Sequence, residues 1–284
     1  MSSASSTDSQ SETSTALFNP ELAANAGDDI LYEVRDDIGF LTFNRPAKRN
    51  SMTFEMYERM AQICVEASEK KDIRALILTG AGDKAFAAGT DMSQFTTFDK
   101  EEDALEYEAR IDRVLTAVET CQVPTIAAIR GACAGGGAGI AACCDIRIAA
   151  STSRFGFPIA RTLGNCLSMT NFARLNDLIG SARAKELIFY AKMIDAAAAL
   201  EYGFLSEVVE TPEAVSPRAE ELAREIATYA PLTLMAAKNA LLRLRNQLPA
   251  GGGSDLILSC YMSEDFHEGM DAFLNKRPPV FKGK

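Results

Sequence analysis

Histidine is almost absent from this sequence, since His267 is the only one in 284 residues. A single histidine excludes metal clusters built from several imidazoles, and it makes any Ser-His-Asp triad depend on one residue near the C-terminus. We expect His267 to lie on the surface of a helix without a catalytic role. The seven cysteines form no CxxC pair. We therefore predict no metal site and no disulfide framework, and we interpret the cysteines as small buried side chains.

Positive charge is also scarce. The chain has 29 Lys and Arg residues against 39 Asp and Glu residues, a formal net charge of −10, which argues against a nucleic-acid-binding surface. No window approaches the roughly 18 consecutive apolar residues of a membrane span. Residues 1–34 contain no Lys or Arg, which argues against a secretory signal or a mitochondrial presequence. We expect a cytoplasmic protein with no membrane or nucleic-acid partner.

The hydrophobic pattern divides the chain into three parts. A Ser/Thr-rich start predicts a disordered tail over 1–28, followed by an α/β core over 29–210 and a helical section over 211–284. The core should contain parallel crossovers, because strand-like and helix-like runs alternate. A hairpin is predicted at 30–34 and 38–44, with strands at 74–79, 125–130 and 145–149. Helices are predicted at 53–70, 101–120, 181–191, 195–203, 218–229, 231–246 and 254–275.

The most informative segment covers residues 124–149 and reads PTIAAIRGACAGGGAGIAACCDIRIA. A strand-like run, the cluster Gly135-Gly136-Gly137 and a helix of small residues follow one another there. Glycine lets a ligand approach the main chain closely, and a helix that begins at such a run presents unpaired N–H groups and a positive dipole end. The pattern predicts an anion site made of backbone, with a simple packing turn between strand and helix as the alternative.

A second loop of the same kind lies about 45 residues earlier. Residues 84–92, KAFAAGTDM, follow the strand-like run 75–79 and also end where a helix could begin. Two strand-to-helix turns would then face one pocket. Nucleotide motifs do not fit, because Ile140 stands where the dinucleotide fingerprint requires its last glycine, and the segment 80–84, GAGDK, is too short for a P-loop.

These two loops resemble those of the crotonase superfamily, also called the enoyl-CoA hydratase/isomerase family. The similarity covers about 30–284 and includes FNRPAKRNSMT near the start and EDFHEGMDAFLNKRPPVFKGK at the end. It implies a crotonase-like ββα spiral core with a helical C-terminal trimerisation section, assembled as a homotrimer or a dimer of trimers. It also implies that the backbone N–H groups of Thr90 and Gly136 donate to the thioester oxygen of an acyl-CoA, with coenzyme A as part of the substrate and no separate cofactor.

The resemblance further implies residues that bind the CoA portion. Lys48 and Arg49 would lie beside the pantetheine and the phosphates, with a solvated loop as the alternative. Phe273 and Lys276 correspond to residues that in relatives reach CoA on a neighbouring subunit, with a wet, charged tail as the alternative. The remaining predicted substrate-binding residues belong to the two loops and to the segment after them: Ala88, Asp91, Met92, Gly135, Pro158 and Ile159.

The chain departs from the family pattern at the catalytic carboxylates. Enoyl-CoA hydratases carry GGG-x-E and FG-x-PE, and they use the two glutamates as acid and base on a water molecule. Here Gly139 replaces the first glutamate, and Ile159, or alternatively Ala160 or Arg161, replaces the second. Since each lost acid/base role costs about 10²–10⁴-fold in rate, the sequence predicts that this protein is not an efficient hydratase.

The acids that remain near the glycine run do not replace these glutamates. Between residues 131 and 185 only Asp145 and Asp177 are acidic. We expect Asp145 to hydrogen-bond backbone groups where a short helix passes into a strand, and Asp177 to be exposed on a helix. Neither is predicted to transfer protons.

Three functions follow as alternatives. The first is a lyase or isomerase that stabilises an acyl-CoA enolate. The second is a decarboxylase or other lyase acting on a carboxylated acyl-CoA, with Arg161 binding the substrate carboxylate bidentately. The alternative for Arg161 is that it pairs with a neighbouring acid or caps a helix. Asn165 and Cys166 share that segment, and Cys166 is a poor nucleophile without a nearby histidine. The third is a noncatalytic acyl-CoA-binding protein.

Overall fold

Alternating apolar segments build a six-stranded sheet that begins with an antiparallel hairpin. The computed structural model describes residues 17–70, 72–96, 98–245, 258 and 261–280. The sheet consists of β1 (Ile30–Arg35), β2 (Ile38–Phe43), β3 (Ala75–Gly80), β5 (Thr125–Ile129), β7 (Ile146–Ala150) and β10 (Glu207–Val209), side by side in that order. Every pairing after the hairpin is parallel. The predicted hairpin and parallel crossovers are confirmed.

A second, four-stranded sheet is formed by short strands that follow strands of the first sheet along the chain. It contains β4 (Ala85–Ala87), β6 (Ala132–Ala134), β8 (Arg154–Gly156) and β9 (Ile194–Asp195). Strands β4, β6 and β8 are parallel neighbours. Because the carboxyl ends of parallel strands lie at the same edge of a sheet, the loops that follow β4 and β6 emerge next to each other.

Helices cover both faces of the main sheet. In chain order they are α1 (Pro20–Ala24), α2 (Phe54–Lys70), α3 (Glu101–Glu119), α4 (Gly136–Cys143), α5 (Ile159–Thr162), α6 (Met169–Tyr190), α7 (Ala196–Glu201), α8 (Pro212–Ala227), α9 (Pro231–Arg245) and α10 (Glu264–Leu274). The larger core lies between the sheet and helices α2, α3 and α4. Helix α8 covers the opposite face with Val215, Ala219, Ala223 and Ile226.

The predicted tail over 1–28 is wrong for its last part. Residues 1–16 lie outside the described residues, but Pro20–Ala24 form helix α1. The Asn19 side chain accepts hydrogen bonds from the N–H groups of the first turn, and proline at the first helical position is favourable there. The Asn19 N–H also donates to Glu58 on α2 at 2.7 Å. Ala23 is buried, so the segment packs on the core instead of leaving it.

Two helices begin earlier than the sequence predicts. Helix α6 begins at Met169, and its two halves meet at Gly180, whose φ of 74° is not helical. The predicted start at residue 181 therefore marks only the second half, because Asn171 and Arg174 occupy the buried face of the first half and hide its apolar pattern. Helix α8 begins at Pro212 and continues through Pro217, where proline removes a single backbone hydrogen bond near the helix start.

The other predicted helices agree with the structure to within a few residues. Helices α2, α3, α7 and α9 correspond to the predictions at 53–70, 101–120, 195–203 and 231–246, and α10 corresponds to the end of the prediction at 254–275. Residue 246 and residues 254–257 lie outside the described residues. Within the described part of the chain, no helix has the length and apolar character that crossing a membrane requires. Five of the six described cysteines are buried, as predicted, and Cys166 is partly buried; Cys260 lies outside the described residues.

Candidate functional site

Hydrogen bonds to Met52 hold the loop after β4 so that the N–H of Thr90 points away from Met52. The Met52 N–H donates to the Gly89 carbonyl at 2.9 Å, and the Asp91 N–H donates to the Met52 carbonyl at 2.8 Å. These two bonds form an isolated parallel bridge between Met52 and Thr90. In this bridge the Gly89 carbonyl and the Asp91 N–H face Met52. The N–H of Thr90, which lies between them, therefore faces away from Met52.

The side chain of Thr90 is fixed between two phenols. Its Oγ1 lies 3.0 Å from the hydroxyl of Tyr57 on α2 and 3.0 Å from the hydroxyl of Tyr107 on α3. Both tyrosines are buried, and burial raises the pKa of Tyr57 to about 12, so its hydroxyl stays neutral at physiological pH. The two hydrogen bonds fix the backbone of Thr90 in one position.

The loop after β6 brings Gly136 next to Thr90. Gly135 has a φ of 51° and a ψ of −121°, a conformation that glycine adopts far more readily than other residues, and it turns the chain into α4. Gly136 is the first residue of that helix, so its N–H has no partner within the helix. A Cβ built on Gly136 would lie 2.1 Å from the Tyr57 hydroxyl and 3.2 Å from Thr90 Oγ1, and one built on Gly89 would lie 4.0 Å from the Gly136 nitrogen. The two loops are therefore in direct contact.

Both loops open into one cavity of about 660 Å³. Of the residues predicted from the sequence, those that line it are Lys48, Arg49, Ala88, Thr90, Asp91, Met92, Gly135, Gly136, Pro158, Ile159 and Phe273. Lys276 and Arg161 are not among the lining residues. The fold thus gathers side chains and backbone from five separate stretches of sequence at one place.

Two cations stand at the exposed part of this cavity. Lys48 and Arg49 are exposed, and within the described ranges neither forms an ion pair. Asp91, in contrast, is engaged by Arg45 at 2.9 Å and by Ser93 at 2.9 Å. Burial acts to raise the pKa of Asp91, but the hydrogen bonds from Ser93 and Arg45 hold it below its ordinary value. The two cations remain available for an anionic ligand, and the aspartate supports the loop.

The two positions at which hydratases of the resembled family carry glutamates are apolar in this cavity. A Cβ built on Gly139 would meet Leu115 Cδ1 at 3.4 Å, and Ile159 is only 7% exposed. Both Gly139 and Ile159 line the cavity. Neither position supplies a group that can donate or accept a proton.

A buried carboxyl group that the sequence analysis missed also lines the cavity. Glu108 on α3 is 5% exposed, and its Oε1 accepts a hydrogen bond from the Tyr261 hydroxyl at 2.5 Å. Asn165 Nδ2 donates to the same hydroxyl at 3.1 Å. Burial, reinforced by the nearby Asp112 carboxylate, raises the pKa of Glu108 to about 7 although the Tyr261 hydrogen bond acts to lower it.

The sequence contains a signal for this residue. Glu108 precedes Ile111 by three positions and Leu115 by seven, so it falls on the apolar stripe of the predicted helix. A carboxylate on such a stripe indicates either a buried ion pair or a functional group.

Arg161 is not where the decarboxylase hypothesis requires it. It is exposed on α5, and its Nε donates to the Ala191 carbonyl at 3.0 Å. It lines a separate, more open cavity together with Phe273 and Arg277. The guanidinium caps a helix end, which is the alternative that the sequence analysis also gave.

The other candidate residues behave structurally. Asp145 accepts from the Thr125 N–H at 2.8 Å and from Lys238 at 2.8 Å, so the predicted backbone contact is confirmed. Asp177 and His267 are exposed on helices, as predicted. In the part of the chain that the structure describes, no cluster of three or more His, Cys, Asp or Glu side chains could hold a metal ion.

Comparison with known proteins relates the chain to one family. The sequence model of the enoyl-CoA hydratase/isomerase family matches residues 33–284. The short-chain-enoyl-CoA hydratase of Clostridium acetobutylicum is 34% identical over 255 residues, which are 88% of this chain and 95% of that protein.

Two solved structures are similar over almost their whole length. An enoyl-CoA hydratase/carnithine racemase from Magnetospirillum magneticum has a TM-score of 0.73 and 33% identity, covering 90% of this chain and 96% of that one. A methylmalonyl-CoA decarboxylase in complex with 2-nitronate-propionyl-CoA has a TM-score of 0.81 and 28% identity, covering 90% and 98%.

Proposed function

This chain belongs to the enoyl-CoA hydratase/isomerase family, and we propose that it stabilises the enolate of an acyl-CoA thioester with the backbone N–H groups of Thr90 and Gly136. The observation that carries the proposal is the contact between the two loops at the wall of one cavity. When a thioester loses a proton or a leaving group next to its carbonyl, negative charge collects on the carbonyl oxygen. Two fixed donors stabilise that charge more than they stabilise the neutral carbonyl, and each is worth about 3 kcal/mol.

The surroundings favour donors that are already in place before the substrate binds. Thr90 is fixed by Tyr57 and Tyr107 at 3.0 Å each, and Gly136 stands at the positive end of α4. Little reorganisation is then needed when the charge develops.

The same cavity offers a place for the CoA portion. Lys48 and Arg49 would bind its phosphates, and Phe273 would contact the nucleotide end. Lys276 does not line this cavity, and its predicted role is to reach CoA bound to a neighbouring subunit. The homotrimer or dimer of trimers remains a prediction from the family resemblance, as does the absence of any cofactor besides the CoA of the substrate. The cytoplasmic location remains a prediction from the sequence composition.

Among the possible reactions, efficient hydration is the least favoured. Gly139 and Ile159 leave no acid and base for water at the usual positions. A substrate with a carboxylated acyl group also has little support, because its carboxylate would need a cation beside the acyl chain. The lining cations, Lys48 and Arg49, stand at the exposed part of the cavity, and Arg161 does not line it. An uncharged acyl chain fits the apolar inner wall best.

Binding and spectroscopy test the proposal together. We expect butyryl-CoA to bind more tightly than free coenzyme A, because the thioester oxygen gains two hydrogen bonds. We also expect the ¹³C resonance of a labelled thioester carbonyl to move downfield when bound, since both N–H groups polarise it. Equal affinity and an unshifted resonance would contradict the proposal. Turnover in a panel of enoyl-, 3-hydroxyacyl- and malonyl-type CoA thioesters separates an enzyme from a noncatalytic binder.

A further inference from the structure

Glu108 is the carboxyl group of the cavity that the oxyanion site does not use. Asp91 also lines the cavity, but Arg45 and Ser93 engage it. Glu108 has no ion-pair partner within the described ranges, and its carboxyl group accepts hydrogen bonds from the neutral Tyr261 hydroxyl and from the Ser168 N–H. Leaving a carboxyl group buried without a cation is unfavourable for folding, so its presence needs a reason.

The position of Glu108 on α3 relates it to both loops. Tyr107, the preceding residue, reaches Thr90 with its hydroxyl at 3.0 Å. Leu115, two turns further along, lies against Gly139 of α4. Glu108, Ile111 and Leu115 all line the cavity, so this face of α3 borders the same space as Thr90 and Gly136.

We propose that Glu108 is the catalytic acid/base of this protein and exchanges a proton with the acyl chain of the bound thioester. This inference rests on the proposed function, because the proton can leave only if the enolate is stabilised. It supplies the proton-transfer group that the replacement of the family glutamates by Gly139 and Ile159 removes.

The step balances without a further reactant. The Glu108 carboxylate takes a proton from the α-carbon, the C–H pair becomes the enolate double bond, and the carbonyl π pair moves onto the oxygen held by Thr90 and Gly136. Returning the proton to the α-carbon restores the starting thioester. Returning it to the γ-carbon of a β,γ-unsaturated chain moves the double bond into conjugation. One carboxyl group is enough for both outcomes, so a β,γ-unsaturated acyl-CoA is the substrate class that this site fits.

The groups around Glu108 are suited to proton exchange near neutral pH. The facing hydroxyls are those of Tyr57, Tyr107 and Tyr261, and burial raises the pKa of each above its ordinary value, so they stay neutral. Asp112 on the same helix lies near Arg174, at 3.7 Å. With its own pKa raised to about 7, Glu108 can both accept and return a proton at physiological pH.

Tyr261 acts as a positioning residue. Its hydroxyl is held by Asn165 and donates to Glu108 Oε1, and its ring is packed against Phe266 at 4.9 Å between centroids. The hydrogen bond favours the carboxylate and lowers the pKa of Glu108 from what burial alone would give. Removing that hydroxyl should therefore move the titration of Glu108 upward.

Hydrogen exchange in D₂O tests the proposal with two defined probes. Butyryl-CoA reports deuterium incorporation at the α-carbon by mass spectrometry, and 3-butenoyl-CoA reports formation of the conjugated thioester by its absorbance. We expect Glu108→Gln to lower both rates by about 10²-fold or more while changing the affinity for butyryl-CoA less than about threefold. Glu106→Gln, at an exposed glutamate two positions away, is the matched control and should retain both rates.

The pH dependence provides a second readout. In the native protein the rate of deuterium exchange into saturating butyryl-CoA should rise with pH through about 7 and then level off. The reason is that the ionised Glu108 carboxylate is the form that removes the proton. Tyr261→Phe should move the midpoint of this profile to higher pH, which a purely structural role of Tyr261 would not do.

The outcomes separate this inference from the proposed function. If butyryl-CoA binds with a shifted carbonyl resonance but Glu108→Gln retains the exchange rates, or if the native protein shows no exchange, Glu108 is not the acid/base and the oxyanion site stands. If butyryl-CoA binds no better than free coenzyme A and its carbonyl resonance does not shift, the proposed function fails and this inference fails with it.

Discussion

Replacing Glu108 with glutamine should stabilise the folded protein at alkaline pH while slowing proton exchange by about 10²-fold or more. Burial raises the pKa of this carboxyl group from an ordinary 4.5 to about 7. Each pH unit of such a shift corresponds to about 1.36 kcal/mol, so the full difference is about 3 kcal/mol. A carboxyl group whose pKa is higher in the folded than in the unfolded protein stabilises the folded state at pH values below its unfolded pKa. This stabilisation is lost as the pH rises through the folded pKa.

Glutamine has the same shape and does not titrate, so Glu108→Gln escapes this loss. We expect the unfolding free energy of the variant minus that of the native protein to increase by about 2 kcal/mol from about pH 5.5 to about pH 8.5. This increase is the part of the full difference that falls within this pH range. Urea unfolding at both pH values and at a fixed protein concentration measures the difference, with Glu106→Gln as the exposed control. A difference that does not change with pH would refute the claim that Glu108 is buried with a raised pKa.

Two further predictions test the oxyanion site and the CoA site. Gly136→Ala places a Cβ 2.1 Å from the Tyr57 hydroxyl and should lower thioester exchange by about 10²-fold with little change in affinity for free coenzyme A. Adding Tyr57→Phe to Gly136→Ala should recover part of the exchange rate, because the clashing hydroxyl is removed. Gly139→Ala is the control, and it should change the rate little because its Cβ has ordinary contacts. Equal losses in Gly136→Ala and Gly139→Ala would contradict the geometry. Lys48→Glu should weaken binding of coenzyme A about tenfold or more at low salt and less at high salt, because charge attraction is screened. Titration calorimetry measures this against the exposed control Lys185→Glu, and an affinity independent of salt would exclude a phosphate contact.

Much of the fold follows from local sequence patterns. The hairpin at Ile30–Phe43 and the strand-to-helix turns were predictable because period-two and period-3.6 patterns and glycine clusters act locally. The contact of Thr90 with Gly136 was expected only through the family resemblance. It depends on the parallel pairing of β4 with β6, which joins residues about 45 positions apart and leaves no local signal.

The chemistry of the inner wall was not predictable in the same way. Glu108 falls on the apolar stripe of α3, but its place in the cavity and its hydrogen bond from Tyr261, 153 residues later, depend on tertiary contacts that the sequence pattern does not show. Arg161 was placed in the pocket by motif alignment, whereas the Ala191 carbonyl holds its Nε at 3.0 Å outside the cavity. Helix α1 is only five residues long and gives no periodic signal, and its docking depends on contacts distant in sequence: the hydrogen bond from Asn19 to Glu58, the packing of Leu17 and Phe18 on the core, and the burial of Ala23.

The central claim is that two peptide nitrogens act on one thioester oxygen. A crystal structure of the full chain with a bound butyryl-CoA measures this directly. We predict that the thioester oxygen lies about 2.7–3.1 Å from both the Thr90 and the Gly136 nitrogens. A thioester oxygen that contacts only one of these nitrogens, or neither, would contradict the account.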